Sequence, residues 1–105
     1  MIALKIEPDR SPYLVGIDGI DIEDELHLMQ AHVGGYIEAV HLKDGGIMLV
    51  DEEFLNARLQ KQHNRIASAL YGAVIYGNVL IVGEKGDMLT DVPTKYFALL
   101  AFDMI

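Results

Sequence analysis

The 105 residues carry 16 Asp and Glu against 8 Lys and Arg, a net charge of −8, and no cysteine. A chain of this length makes one domain that buries about 65% of the surface its unfolded form exposes, enough to fold without covalent staples. The missing cysteines exclude disulfides, thiolate metal sites and cysteine nucleophiles, and the acid excess disfavours nucleic acid and lipid headgroups while favouring basic protein surfaces. No apolar run approaches the roughly 20 residues of a membrane span, and residues 1–7 lack the basic and then apolar pattern of an export signal. A protein of the reducing host cytoplasm is expected.

Ile2, Leu4 and Ile6 alternate with Ala3 and Lys5, predicting a short half-buried strand, and Pro8 and Pro12 bracket a turn before a second strand, Tyr13 to Ile17. The two form an expected hairpin, and Asp18-Gly19 ends it. Ile22, Leu26, Met29 and Val33 then recur at helical spacing, predicting a helix from about Asp21 to Val33. Its first turn holds Asp21, Glu23, Asp24 and Glu25, which favour the positive end of the helix dipole. Gly34 is suited to the left-handed conformation that ends many helices.

Tyr36 to Leu42 and Ile47 to Asp51 predict the clearest hairpin, turning at Asp44-Gly45. Glu52 to Gln62 reads equally as a helix with Phe54, Leu55 and Leu59 buried or as a loop. Ala73 to Val82 is the most apolar run and predicts a central strand, interrupted at Gly77-Asn78 by a bulge, preferred over a hairpin turn between two very short strands. Thr90 or Asp91 then caps an expected C-terminal helix, with Pro93 in its first turn and an apolar face of Tyr96, Phe97, Leu99, Leu100 and Phe102. The expected class is α+β: a mixed or mostly antiparallel sheet of about five strands with two helices, Asp21 to Val33 and Pro93 to Phe102, packed on one face.

Chemistry is sparse in this pattern. The acids from Asp18 to Glu25 lack the alternating ligands and central glycine of a calcium loop, and His27, His32, His41 and His63 have no zinc spacing. Ser11 and Ser68 stand in no nucleophile context, and no glycine-rich phosphate loop occurs. No enzymatic activity, catalytic residue, metal or cofactor is expected. Charge is the feature that separates regions. Residues 1–53 hold twelve acids and three bases, whereas 54–83 hold no acid and three bases, Arg58, Lys61 and Arg65. Asp21, Glu23, Asp24 and Glu25, with Asp51, Glu52 and Glu53, are therefore the candidate protein-binding residues. Arg58, Lys61, Asn64 and Arg65 are the candidates for holding a small anion, since guanidinium and amide groups offer donors to phosphate.

The run Val33-Gly34-Gly35-Tyr36-Ile37-Glu38, with the helix before it, resembles the recurrent core of a small family: a domain of unknown function typical of phages, plasmids and conjugative elements. The Asp51-Glu52-Glu53 turn, Asn64 to Ala67, and Gly77 to Gly83 also follow that pattern. Between Glu53 and Asn64 the family pattern has glycine and proline, where this chain has Phe54-Leu55-Asn56-Ala57-Arg58-Leu59. The resemblance carries over no catalytic residue. It implies a mobile-element protein, a setting in which small acidic proteins often inhibit host defence. The leading expectation is an anti-defence protein, such as an anti-CRISPR, whose acidic residues engage a Cas nuclease. The alternatives are a homo-oligomer that sequesters a nucleotide immune signal through Arg58, Lys61, Asn64 and Arg65, and a regulatory protein of the element.

Overall fold

A computed structural model describes residues 1–53 and 61–101. Strands β1 (Ile2–Ile6), β2 (Tyr13–Gly16), β3 (Ile37–His41), β4 (Ile47–Asp51), β5 (Val79–Lys85) and β6 (Met88–Thr90) form one sheet in the order β2-β1-β5-β4-β3, with β6 pairing β5. Every pairing is antiparallel. Helices α1 (Ile22–Val33) and α2 (Arg65–Tyr71) and a C-terminal 3-10 helix (Thr94–Ala101) complete the α+β fold among the described residues.

Alternation along the three inner strands builds two cores. Leu4, Ile6, Met48, Val50, Val79 and Ile81 face one way and join Ile66 and Ala67 of α2, with Val92 and Tyr96. Ala3, Ile47, Leu49, Leu80 and Val82 face the other way and join Met29 and Val33 of α1. The helices therefore lie on opposite faces. The expectation of α1 and the Pro93 to Phe102 helix on one face is corrected, since Tyr96 joins the α2 side: β4 and β5 are apolar at successive positions, so each sheet face needs its own cover.

Several boundaries also move. The predicted strand from Ala73 starts only at Val79, because residues 75–77 spend their backbone groups on the segment before α2: Asn64 N–H donates to Ile75 O (2.9 Å) and Gly77 N–H to Gln62 O (2.8 Å). Gly77 turns the chain at a φ of +83° instead of forming a bulge within a strand. At the other end, β5 runs on to Lys85 and turns through Gly86 into β6, a hairpin that the sequence reading did not contain. The helical segment after Pro93 is 3-10, and Asp91 does not cap it, since its Oδ1 accepts from Ile2 N–H at 2.8 Å. Tyr96 ties that segment to the β3–β4 turn by accepting from Gly46 N–H (3.1 Å) and donating to Asp44. Burial, then the bond to Asp44, pushes its hydroxyl up to about 12. The ambiguous stretch around Phe54, Leu55 and Leu59, and Phe102, lie outside the described residues.

Candidate functional site

The first turn of α1 is built by its own acids. Asp21 is the N-cap, in extended conformation, and its Oδ1 accepts from Asp24 N–H at 2.8 Å. Asp24 Oδ2 in turn accepts from Ile20 N–H at 3.0 Å, so two backbone donors at the helix start are satisfied reciprocally. Gly19 presses on this turn: a β-carbon there would come within 2.6 Å of Glu25 N. The carboxylates of Asp21, Glu23, Asp24 and Glu25 thus crowd one helical turn, and none of them forms an ion pair with a described residue.

Asp51, Glu52 and Glu53 sit at the other end of α1, twelve residues and roughly 18 Å away along the helix. Gly35 lies directly against Asp51, where a β-carbon would approach Oδ2 to 2.7 Å. Asp51 is committed to the fold, with Oδ2 accepting from Lys61 Nζ at 2.7 Å and Oδ1 from Glu53 N–H at 2.9 Å. Burial opposes its ionisation, but the Lys61 and Glu53 hydrogen bonds with the Lys61 charge hold its carboxyl below the usual range. The seven predicted protein-binding acids therefore form two clusters; Asp51 is held by Lys61, whereas Glu52, Glu53 and the four acids of the α1 first turn have no ion pair with a described residue.

The predicted anion-binding residues do not converge. Lys61 is taken by Asp51 and by Val33 O, at 3.4 Å, where it satisfies a carbonyl at the end of α1. Asn64 is 1% exposed and caps α2: its Nδ2 donates to Ile6 O (3.0 Å) and Gly77 O (2.8 Å), and its Oδ1 accepts from Ala67 N–H (3.1 Å). Arg65 is exposed, and Arg58 lies outside the described residues. The histidines are equally scattered, with His32 against Lys5 Nζ (3.0 Å), His41 near Glu84 and His63 near Ser68. Burial and then the Lys5 charge lower the His32 pKa.

Beside the acidic turn lies a groove of about 320 Å³ that the sequence reading missed. Its walls are Ile22, Leu26 and Met29 of α1 and Met88 and Leu89 of β6, with Met1 and Ile37, and the carboxylates of Glu25 and Asp87 stand among them. Ile22 and Leu26 share the helical spacing of Met29 and Val33, yet only Met29 and Val33 of α1 are buried. The model of the family described as domain of unknown function DUF3846 matches residues 1–101. The chain belongs to the DUF3846 family. No curated protein and no solved structure matches it. Membership in DUF3846 assigns no chemistry, so the unpaired acidic turn and its groove carry the functional argument. The signal that could have revealed the groove was Lys85-Gly86-Asp87-Met88, a two-residue Gly-Asp turn between short strands.

Proposed function

We propose that this DUF3846 protein is a non-enzymatic inhibitor from a phage or other mobile element that engages the basic nucleic-acid channel of a host defence nuclease. The observation that carries the reading is the cluster of Asp21, Glu23, Asp24 and Glu25 on one solvent-facing helical turn without a cationic partner among the described residues. A protein that needed these charges only to cap a helix would use one or two of them. Asp87 adds a further carboxylate beside Glu25 across the groove. Such a concentration of negative charge speeds encounter with a basic channel and sets the partner's orientation. The family resemblance supports the mobile-element setting, and the host cytoplasm is where a nuclease of this kind would be met.

The test is cleavage of plasmid DNA by purified, guide-loaded Cas nucleases with the protein added first. Inhibition that weakens as salt rises and disappears when Asp21, Glu23, Asp24 and Glu25 are changed to lysine is the expected result. Inhibition untouched by the four changes would reject the acidic turn as the contact, and no inhibition of any nuclease in the panel would reject this target class.

A further inference from the structure

The groove beside the acidic turn is more apolar than an electrostatic contact requires. Ile22, Leu26, Met88 and Leu89 line it while remaining 81%, 37%, 68% and 37% exposed. Large apolar side chains gathered on one exposed surface mark a place that a partner covers. Among the described lining residues the ionisable side chains are Glu25 and Asp87, with no Lys or Arg, and the ammonium of Met1 is already paired with Asp18 at 3.6 Å. Asp21, Glu23 and Asp24 stand in the same first turn of α1 and add to the local negative charge, although they do not line the groove themselves.

An apolar floor with a carboxylate rim selects its occupant by chemistry. Anionic lipid and nucleic acid are repelled by the rim. A second copy of this chain would bring its own acids against these, so a symmetric contact through the groove sets like charges together. A segment that alternates large apolar side chains with Lys or Arg satisfies both parts, because the anchors dry the floor while the cations reach the rim. The groove lies near the low end of the roughly 300–1,000 Å³ range of binding pockets, which suits a few anchoring side chains. Amphipathic segments commonly dock in this way, by laying their apolar face into a groove.

We propose that the groove between α1 and β6 is the docking site for a basic amphipathic segment of a partner protein, with its apolar residues against Leu26 and Leu89 and its cations on Glu25 and Asp87. The inference rests on the protein-binding reading above and adds what selects the partner: basic charge attracts a segment here, and apolar anchors hold it.

Two fluorescent peptides of equal length and charge test this, one with Leu and Lys at helical spacing and one with Ser in place of Leu. In anisotropy titrations the Leu/Lys peptide should bind about tenfold more tightly or better, the scale of burying a large apolar side chain. Leu26→Gln with Met88→Gln should erase that preference, and Glu25→Gln with Asp87→Asn should weaken both peptides. Both positions of the first pair are exposed, and thermal unfolding confirms that the variants fold. Equal binding of the two peptides, or binding of neither, overturns the proposal. So does a wild-type dimer in sedimentation that Leu26→Gln dissolves, which would make a second copy the occupant. In the nuclease assay, full inhibition by Leu26→Gln/Met88→Gln alongside loss by the lysine variant rejects the groove and keeps the electrostatic reading. Peptide binding without inhibition of any nuclease rejects only the nuclease reading.

Discussion

The two ends of α1 are built on opposite terms. At the C-terminal end, Gly34 closes the helix with a φ of 91°, Lys61 bridges Val33 O to Asp51, and Asn78 Nδ2 reaches His32 O at 3.4 Å. Nearby, Asn64 fastens β1, α2 and the Gly77 turn together. Polar groups there are spent on one another. At the N-terminal end, four carboxylates share a turn without ion pairs among the described residues, and Ile22 and Leu26 of the same helix face a groove. Burying polar groups is worthwhile only when each finds a partner, so the first end reads as structural. Asp21 and Asp24 serve the fold as caps, but leaving Ile22 and Leu26 in water gains it nothing, so the second reads as a surface kept for binding.

Breaking the structural end should have the largest effect. Asn64→Ala removes the α2 cap, worth about 1 kcal/mol, and strips the buried carbonyls of Ile6 and Gly77 of their donor, so a total loss of about 3 kcal/mol is expected in urea unfolding. Gly34→Ala should cost about 1 kcal/mol by the same measurement. The cause would be conformational and not steric, because the nearest atom to the added carbon is Lys61 Nζ at 3.5 Å.

Lys61→Met should cost about 1 kcal/mol at neutral pH, near the top of the range for exposed pairs, since both partners are mostly buried. Its pH dependence follows from Asp51, whose native pKa is lowered from the ordinary 3.8. A depressed carboxylate stabilises the fold fully above its unfolded pKa, and that contribution is lost as pH falls through the native one. The gap between wild type and Lys61→Met should therefore be widest near neutrality and close in strong acid, as unfolding curves at both pH values would show. The smallest effect belongs to the binding end: Ile22→Ser should change stability by less than about 0.5 kcal/mol because the side chain is already in water. A larger loss would mean that Ile22 serves the fold.

The helix from Asp21 to Val33, its acidic start, its glycine exit and the hairpins β1–β2 and β3–β4 could be read from the chain because each depends on neighbours within a turn or a short loop. The asparagine at position 64 was read as a ligand donor because nothing local distinguishes a buried amide from an exposed one. Its partners, Ile6 and Gly77, lie 58 and 13 residues away. For the same reason the strand expected from Ala73 began too early: hydropathy registers apolar residues but not which backbone groups have already been claimed across the chain.

Composition and periodicity determined by themselves the α+β class of these residues and the concentration of their negative charge in the first half. Only the tertiary structure decided that α1 and the C-terminal helical segment cover opposite faces, since that depends on which side of the sheet each loop delivers its helix. It also decided that the seven acids divide into two clusters, one tied to Lys61 through Asp51 and one that borders an apolar groove through Glu25. Helical spacing places Ile22 and Leu26 on the same stripe as Met29 and Val33, but burial depends on what stands opposite, and across from the first two the chain leaves a groove.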